Sequence, residues 1–476
     1  MITNLVGGRW LEAHADQSLP VFDPATGSEI DRVPLSGAVD VDLAVSAAGE
    51  AFKAWSHTSV MERVRLMFAY KALLEAHFEE LSEMVTRVHG KTLNESRGEV
   101  RRGIEVVDFA CGAPTLLQGR TLRNVSTDVD QDLYRFPVGV CAGIPPFNFP
   151  VMIPLWMMPI AVVAGNTFVL KPSERTPLPA VRLAQLFLEA GFPEGVLNLV
   201  HGGKESVDAL LRHPGVNAIS FVGSEPVARY VYTTAAAHGK RVQALGGAKN
   251  HLVIMPDVDF ETAAPAILNS AFGNAGERCL AGSVAVMVGG AGDSVVGPLV
   301  ERAAALRLGP GDQPNVDVGP LIRSEHRDRV AQYVARGESE GAKVLLDGRT
   351  RASGPGYFFG PTILDGVSEP MAIGREEIFG PVLSVSRVST LEEAISQSNR
   401  SALGNMAVIF TTSGVAAREF REHVEAGMVG INVPVAQPFA FFPFSGWKGS
   451  FYGDLHAHGT DGFEFYTRKK VVVTRW

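Results

Sequence analysis

The sequence predicts an α/β protein that contains two successive α/β domains and ends in a β-extension. Three observations support this prediction. Residues 138–246 alternate short apolar runs with longer helical ones, a second alternating series begins at residue 249, and residues 465–475 alternate polar and apolar side chains. Strands that alternate with helices need crossover connections, so the first sheet is expected to be parallel with helices on both faces.

The first series indicates four repeats of a strand followed by a helix. The expected strands are residues 138–144, 167–170, 196–200 and 216–222, and the expected helices are residues 149–164, 179–190, 205–211 and 226–237. Gly191 is a favoured residue for ending the second of these helices. Together the repeats predict a doubly wound nucleotide-binding domain.

The flanking segments complete the predicted architecture. Apolar residues at three- and four-residue spacing predict helices over 39–55 and 61–88, so the first hundred residues are expected to be mostly helical and to pack around the first sheet. The second series is expected to begin with a strand at 251–255 and to contain helices at 261–272, 325–340 and 391–399. The C-terminal strand is expected to leave the globular body and pair with another subunit.

Charge and composition exclude several classes of partner. The formal net charge of −8 provides no basic field for nucleic acid or an anionic membrane, so small-molecule partners are expected. The apolar stretch 151–165 is shorter than a bilayer span and is interrupted by prolines, which favours a buried core helix. Three scattered cysteines predict neither a disulfide framework nor a metal site. With no export signal visible, a cytoplasmic protein is expected.

One cysteine lies in a segment suited to catalysis. Cys279 ends a glycine-bracketed loop with the sequence GNAGERC, whose small residues would let a substrate and a flat cofactor ring approach the backbone. A cysteine in a folded protein is more often only a small buried apolar side chain. Arg278 favours the functional interpretation, because a neighbouring guanidinium stabilises a thiolate relative to a thiol.

Four separated motifs resemble those of the aldehyde dehydrogenase superfamily, in the same order and at the same spacing. They are PFNFP at 146–150, LKPSE at 170–174, GNAGERC at 273–279 and EEIFGPV at 376–382. The resemblance covers essentially the whole chain. It implies the aldehyde dehydrogenase fold, which comprises a Rossmann-like NAD-binding domain, an α/β catalytic domain and a small oligomerisation β-extension.

The resemblance also implies the roles of two catalytic residues. The Cys279 thiolate would add to the aldehyde carbon, and the resulting thiohemiacetal would release a hydride to a nicotinamide and leave a thioester. The side-chain amide of Asn148 and the backbone N–H of Cys279 would donate hydrogen bonds to the developing oxyanion. A turn asparagine between two aromatic residues is the alternative explanation of Asn148.

The cofactor is expected to bind in an unusual way, because no G-x-G-x-x-G motif occurs in the first series. The resemblance implies that Lys171 and Glu174 hold the adenosine ribose hydroxyls, and the Glu174 carboxylate would repel a 2′-phosphate, which favours NAD over NADP. It also implies a pyrophosphate site at the helix start after Ser224, and Glu377 on the nicotinamide ribose. Further cofactor contacts are expected from Pro145, Phe147 and Arg175.

These cofactor residues also have simpler explanations. Lys171 and Glu174 could be surface charges, and Ser224 could be only a helix N-cap. Pro145 and Ala228 stand where relatives often have alanine and glycine, respectively, and the sequence does not predict the effect of these two differences.

Ala244 occupies the position where hydrolytic members of the family carry their general base. Loss of a general base typically slows the step it serves by a factor of about a hundred or more. Water should therefore release the thioester slowly, and coenzyme A is the expected co-substrate, since a thiol needs little activation. GAKNH at 247–251, PFSGWKGS at 443–450 and ER at 277–278 resemble the CoA-acylating methylmalonate-semialdehyde dehydrogenase subfamily. That subfamily oxidises malonate semialdehyde and its methyl derivative and releases acetyl- or propionyl-CoA with loss of carbon dioxide.

Such a substrate carries a carboxylate beside its aldehyde and needs a cation with fork geometry. Arg278 is suited by its position, and the resemblance implies that Arg102 is the second carboxylate-binding arginine. A surface ion pair of Arg102 with Glu99 or Glu105 is the alternative, and Arg101 competes for the same role. The side chains expected either to wall the substrate tunnel or to pack in the core are Phe147, Phe439, Phe441 and Phe442.

The predicted NAD-binding domain comprises residues 1–119 and 138–245, the catalytic domain residues 246–445, and the oligomerisation segment residues 120–137 and 460–476. A homotetramer or homodimer is expected. Two other functions stay open: a hydrolytic NAD-dependent aldehyde dehydrogenase that uses another base such as Glu277, and a noncatalytic nucleotide-binding or structural protein of the same fold. The presence of Cys279 and Asn148 argues against the second.

Overall fold

A computed structural model describes residues 1–351 and 354–476 of the chain. The strands, in chain order, are β1 (Asn4–Val6), β2 (Arg9–Leu11), β3 (Ser18–Asp23), β4 (Ser28–Pro34), β5 (Arg120–Ser126), β6 (Val129–Pro137), β7 (Val140–Ile144), β8 (Thr167–Leu170), β9 (Leu197–Leu199), β10 (Val216–Val222), β11 (Arg241–Leu245), β12 (Asn250–Ile254), β13 (Gly282–Val288), β14 (Lys343–Leu346), β15 (Thr362–Asp365), β16 (Val382–Val388), β17 (Leu403–Gly404), β18 (Met406–Phe410), β19 (Met428–Ile431), β20 (Trp447–Lys448), β21 (Phe451–Tyr452) and β22 (Thr467–Arg475).

The α-helices, in chain order, are α1 (Ala38–Trp55), α2 (Val60–Ala76), α3 (Phe78–His89), α4 (Leu93–Cys111), α5 (Ala113–Leu116), α6 (Met152–Val163), α7 (Leu178–Glu189), α8 (Lys204–Arg212), α9 (Glu225–Ala237), α10 (Phe260–Phe272), α11 (Ala291–Ala304), α12 (Ser324–Ser339), α13 (Ala372–Arg375), α14 (Leu391–Arg400), α15 (Gly414–His423) and α16 (Gly459–Phe465).

The first large sheet has eight strands in the order β2-β1-β9-β8-β7-β10-β11-β21. The strands from β9 to β11 are parallel, and β1, β2 and β21 add antiparallel edges. After β7 the chain builds β8 and β9 on one side and then returns to place β10 on the other side. In such a sheet the crevice for a ligand lies at the carboxyl ends of the strands beside this reversal. The predicted parallel sheet with crossover helices is therefore confirmed.

The second large sheet has seven strands in the order β14-β15-β16-β13-β12-β18-β19. All its neighbouring strands are parallel except the antiparallel pair β14 and β15. The expected strand at 251–255 and the three expected helices of this series correspond to β12, α10, α12 and α14. The second α/β unit predicted by the alternating pattern is therefore present.

Helix α6 illustrates how composition determines position. Every one of its side chains is buried, because the helix is apolar all round and packs between α4 and the first sheet. The prediction of a buried core helix in this stretch is confirmed. In the part of the chain that the structure describes, no helix combines the length and the apolar character needed to cross a membrane.

The first hundred residues are mostly helical, as expected, because α1, α2, α3 and the start of α4 occupy more than half of them. Four strands, β1 to β4, occupy part of the first 34 residues, and the helix expected over 61–88 is divided into α2 and α3. The division occurs at His77, whose backbone leaves the helical region with φ −102° and ψ 20°. Strands β1 and β2 have only three residues each, too few for the alternation of apolar side chains to register as a pattern.

The C-terminal strand forms as expected, but its partner lies in the same chain. Strand β22 pairs antiparallel with β6 over nine residues, from Thr467 opposite Pro137 to Arg475 opposite Val129. It forms the edge of a three-stranded sheet in the order β22-β6-β5. The expectation that this strand pairs with another subunit is thus corrected for one of its edges, because its backbone groups on that side bond to β6.

Candidate active site

The predicted site residues converge where the two large sheets meet. Asn148, Lys171 and Ser224 follow the carboxyl ends of β7, β8 and β10, which are the central strands of the first sheet. Cys279 lies just before β13 of the second sheet. The reversal of strand order in the first sheet therefore faces the cysteine loop of the second.

The loop that carries Cys279 is held by its backbone. The amides of Asn250 and Asn405 each donate from Nδ2 to the Cys279 carbonyl oxygen at 2.9 Å. Upstream, Asn274 adopts a left-handed conformation with φ 56°. A side chain on Gly276, which has φ 73°, would come within 2.1 Å of the Gly380 carbonyl oxygen. Glycine is thus required where the cysteine loop touches the EEIFGPV segment.

Asn148 lies directly beside this loop. Its buried Nδ2 donates to the carbonyl oxygen of Glu277 at 2.9 Å, two residues before Cys279. The Asn148 carbonyl oxygen accepts a hydrogen bond from Lys91 Nζ at 2.6 Å. The structure therefore brings together the two residues predicted to be catalytic, and it holds the asparagine by both its backbone and its side chain.

Sequence reasoning missed the buried ion pair that supports Asn148. Lys91 Nζ lies 2.7 Å from Glu99 Oε2, and neither side chain is exposed to solvent. Glu99 Oε1 also accepts from the backbone N–H groups of Val151 and Met152, at 2.8 and 3.2 Å, where α6 begins. No spacing or motif distinguishes these two charges from the surface charges around them. Only their tertiary burial shows their role.

The charge state of the Cys279 thiol differs from the one expected. Burial raises the pKa of Cys279 to about 12, and the nearby Glu377 carboxylate acts in the same direction. Arg278 favours the thiolate, as the sequence predicted, but burial outweighs it. In the absence of ligands the cysteine is therefore a thiol at neutral pH, and its activation must accompany substrate binding or proton removal.

Residues predicted to hold the cofactor line the cleft at the ends of β8 and β10. Lys171 is buried and its Nζ lies 3.4 Å from Glu174 Oε2, so neither is an isolated surface charge. Burial lowers the pKa of Lys171. Ser224 is the exposed N-cap of α9 and makes no side-chain cap bond, while Pro226 occupies the first turn. The backbone N–H groups of that turn point out of the helix and form a surface suited to an anion.

The remaining cofactor candidates are Pro145, Phe147, Arg175 and Glu377. The Arg175 guanidinium lies 5.0 Å from the centre of the Phe147 ring. Glu377 Oε1 accepts from the Ala248 backbone N–H at 3.0 Å, and burial raises the pKa of Glu377 to about 7. Pro145 is buried immediately after β7. All of these side chains lie close to segments that carry Asn148 or Cys279.

The two predicted substrate arginines differ in their surroundings. Arg278 is half-buried and its nearest polar partner is Asn269 Oδ1 at 3.4 Å, with no carboxylate within 4 Å among the described residues. Arg102 forms an ion pair with Glu105 at 2.8 Å, so the alternative of a surface ion pair is the arrangement observed. Its guanidinium also lies 4.6 Å from the centre of the Phe439 ring.

The neighbouring charges narrow the choice between the arginines of α4. Arg101 Nη1 binds both carboxylate oxygens of Glu75, at 2.7 and 2.9 Å, away from the aromatic cluster. The aromatic cluster comprises Phe439, Phe441 and Phe442, which are 52%, 58% and 59% exposed. Core packing therefore does not explain these three rings, and Arg102 is the arginine of α4 that contacts one of them, Phe439.

Neither predicted base position offers a carboxylate to water beside Cys279. Ala244 is fully buried at the end of β11, in the apolar cluster that includes Phe221 and Ala228. Glu277 is also fully buried, and its carboxyl contacts the Ile322 backbone N–H rather than the cysteine. The hydrogen bonds of Glu277 therefore give no support to its proposed role as the base for hydrolysis.

Comparisons with known proteins agree with this geometry. The model of the aldehyde dehydrogenase family matches residues 10–472. The chain is 55% identical to malonate-semialdehyde dehydrogenase 1 of Geobacillus thermodenitrificans (strain NG80-2), over 100% of this chain and 99% of that protein. The crystal structure of methylmalonate-semialdehyde dehydrogenase (DddC) from Oceanimonas doudoroffii is 47% identical, with a TM-score of 0.98 and coverage of 100% and 98% of the two chains.

A further crystal structure, from Sinorhizobium meliloti 1021, was complexed with NAD. It is 43% identical, has a TM-score of 0.98, and the match covers 100% of this chain and 98% of that one. The family model and the full-length relatives agree with the fold. The chain belongs to the aldehyde dehydrogenase family.

Proposed function

We propose that the chain is an NAD-dependent, CoA-acylating dehydrogenase of malonate semialdehyde and its methyl derivative. The names of the relatives support the substrate class. The observation that carries the acylating step is that neither residue considered as the base, Ala244 or Glu277, presents a carboxylate to Cys279. Ala244 cannot take a proton, the buried Glu277 carboxyl accepts from the Ile322 N–H, and Glu377, the carboxyl near Cys279, is proposed to hold the nicotinamide ribose. Water is therefore a poor acceptor of the acyl group.

In the proposed reaction the Cys279 sulfur bonds to the aldehyde carbon as its proton leaves. The second N–H of the Asn148 amide and the backbone N–H of Cys279 stabilise the oxyanion, while Glu277 holds the first N–H of that amide. NAD, when bound, supplies the acceptor for the hydride of the substrate carbon. Loss of carbon dioxide breaks the bond to the substrate carboxyl carbon, and the carbon left behind takes up a proton equivalent to the one released from Cys279. The thiol of coenzyme A then takes the acyl group, and its proton passes to the Cys279 sulfur. In the overall balance, malonate semialdehyde, NAD⁺ and coenzyme A give acetyl-CoA, carbon dioxide and NADH.

The hydrogen-bond donors and acceptors of the side chains in the cleft match the groups that NAD presents. Lys171 and Glu174 offer a donor and an acceptor 3.4 Å apart for two neighbouring hydroxyls of a ribose. The first turn of α9 after Ser224 suits the pyrophosphate, and Glu377 suits the second ribose. A side chain on Gly247 would lie 2.5 Å from Glu377 Oε2, so glycine leaves the space this carboxylate occupies. The other proposed contacts to NAD come from Pro145, Phe147 and Arg175.

Arg278 and Arg102 are proposed to bind the carboxylate of the semialdehyde. Arg278 is the stronger candidate, because it is next to the nucleophile and no carboxylate of the described chain lies within 4 Å of it. Arg102 would have to share its guanidinium between Glu105 and the substrate. Its contact with Phe439 supports a position at the wall of a substrate tunnel formed by the aromatic cluster.

The domain roles and the assembly are part of the same proposal. Residues 1–119 and 138–245 would bind NAD, and residues 246–445 would carry the catalytic loop. Residues 120–137 and 460–476 would join subunits of a homodimer or homotetramer, since β22 is an edge strand with exposed Val471 and Val473. All three cysteines are free thiols, which suits the reducing cytoplasm.

An NADH-linked assay with and without coenzyme A tests this function. Malonate and methylmalonate semialdehydes should be oxidised far faster than propanal. Without coenzyme A each should give one rapid turnover of NADH followed by slow release, and coenzyme A should restore steady turnover and yield acetyl- or propionyl-CoA. Steady turnover without any thiol and without a burst would instead assign the protein to the hydrolytic members of the family.

A further inference from the structure

A buried carboxyl that the proposed reaction does not use lies behind the catalytic loop. Glu277 has no exposed surface, and its side chain is enclosed by two histidines. Glu277 Oε2 lies 3.6 Å from His89 Nε2, and Glu277 Oε1 lies 3.5 Å from His326 Nε2. Oε1 accepts from the Ile322 N–H at 3.2 Å, whereas Oε2 has no hydrogen-bond partner in the structure.

Glu277, His89 and His326 form a buried cluster, and the hydrogen bonds of the two histidines determine where its protons can lie. His326 Nε2 is 2.6 Å from the carbonyl oxygen of Phe379, which can only accept, so His326 carries its proton on Nε2. Both ring nitrogens of His89 lack partners. A proton on Glu277 Oε2 would therefore face an unoccupied acceptor on His89, which a shift of less than 1 Å would bring into hydrogen-bond range.

The surroundings favour an uncharged cluster. Burial raises the pKa of Glu277 to about 8, and burial lowers the pKa of His89 and of His326. No lysine or arginine nitrogen of the described chain lies within 4 Å of the Glu277 carboxyl. The charged groups that face it from farther away are Arg175, Lys91 and Arg329, and they only partly oppose the effect of burial. At neutral pH all three members of the cluster are therefore neutral.

Glu277 is connected to Asn148, the proposed oxyanion donor, through its carbonyl group and through its carboxyl group. The Glu277 carbonyl oxygen accepts from Asn148 Nδ2 at 2.9 Å and from Asn274 Nδ2 at 2.7 Å. The Glu277 carboxyl faces His89, whose ring stacks on Phe147 with the centroids 5.9 Å apart and the planes 15° apart. Phe147 immediately precedes Asn148. A movement of the Glu277 side chain is therefore transmitted both to Asn148 and to the loop that carries Cys279.

We propose that Glu277 is a positioning residue that must stay uncharged, and that its ionisation in alkaline solution displaces Asn148 and the Cys279 loop from their working arrangement. This inference rests on the proposed oxidation of an aldehyde at Cys279, but not on the substrate or on coenzyme A. A bare carboxylate at this place would be buried beside an unprotonated imidazole, with too few donors for its oxygens. The neutral acid needs one acceptor only, which His89 provides.

The test compares Glu277→Gln with the unmodified enzyme across pH. Glutamine keeps the shape and an oxygen for the Ile322 N–H but cannot ionise. First-turnover NADH formation with propanal, without coenzyme A, should agree within about twofold at pH 6.5 and should favour the variant by about tenfold at pH 9, one unit above the Glu277 pKa. Glu50→Gln, on the exposed face of α1, is the matched control and should follow the unmodified enzyme throughout.

Two results would overturn the proposal. A tenfold or larger loss in Glu277→Gln at pH 6.5 would mean that the carboxyl takes part in proton transfer, and a constant ratio of the two rates between pH 6.5 and 9 would mean that its ionisation has no effect. Infrared difference spectra of the unmodified protein provide a second readout, independent of activity and of how well the variant folds. One band of a protonated carboxyl should vanish as the pH rises through 8, above the pH of about 7 at which Glu377 titrates, and the absence of such a second band would refute a neutral Glu277.

Discussion

The buried ion pair beneath Asn148 gives the most direct prediction about stability. Lys91→Met removes the ammonium but keeps the length of the side chain. It leaves the Glu99 carboxylate buried without its cation and the Asn148 carbonyl oxygen without its donor. Breaking a fully buried pair from one side costs about 3–5 kcal/mol, because the remaining charge has no compensation. We expect a loss of that size in the free energy of unfolding.

The structure also predicts how this loss can be reversed. Glu99→Gln retains an oxygen for the N–H groups of Val151 and Met152, at the start of α6, but carries no charge. The double variant Lys91→Met with Glu99→Gln should therefore be more stable than Lys91→Met alone by about 1–3 kcal/mol, since hydrogen bonds are lost but no buried charge remains. Both variants should lose first-turnover rate, because Asn148 is no longer held through its carbonyl group.

Thermal and urea denaturation of the full chain measure these effects. Lys91→Met should lower the Tm by about 3–5 °C, because the unfolding entropy of a chain of this length is large. Lys53→Met is the matched control, because Lys53 pairs with Glu50 at 2.5 Å with both side chains more than 70% exposed, and such pairs contribute about 0–1 kcal/mol. The reasoning would be refuted if Lys91→Met lost as little free energy of unfolding as the control. It would also be refuted if the double variant were no more stable than Lys91→Met.

Three further predictions concern the active site. Since burial raises the pKa of Cys279 to about 12, its alkylation by iodoacetamide in the ligand-free enzyme should accelerate about tenfold per pH unit between pH 7 and 9; a plateau near pH 7 would show instead that Arg278 dominates. Arg278→Leu should reduce kcat/KM for malonate semialdehyde about ten- to hundredfold more than for propanal, whereas Arg101→Leu should affect the two substrates equally; equal damage by Arg278→Leu would exclude carboxylate binding. Glu174→Gln should weaken NAD binding and narrow its advantage over NADP in equilibrium titrations, and unchanged constants for both would contradict its ribose role.

The differences between predicted and observed elements have local causes. The strands of the first series were predictable because β7, β8 and β10 are largely apolar runs that the parallel sheet buries almost completely. The division between α2 and α3 at His77 was not predictable from the sequence, because the helical spacing of apolar residues continues on both sides of the break. Strand β21 has two residues and exists only because it pairs with β11.

The amino-acid sequence by itself determined the α/β class and the family, and it predicted Cys279 and Asn148 as catalytic residues. These inferences depend on periodicity and on short motifs, which can be recognised within short stretches of sequence. The sequence also predicted the missing base, because an alanine at position 244 cannot take a proton in any conformation. The tertiary structure alone decided the charge states. The Cys279 thiol, the Glu277 carboxyl and the Lys91 ammonium have pKa values set by burial and by neighbours distant in the chain. Desolvation acts through the surroundings in space, and neither composition nor spacing reports those surroundings.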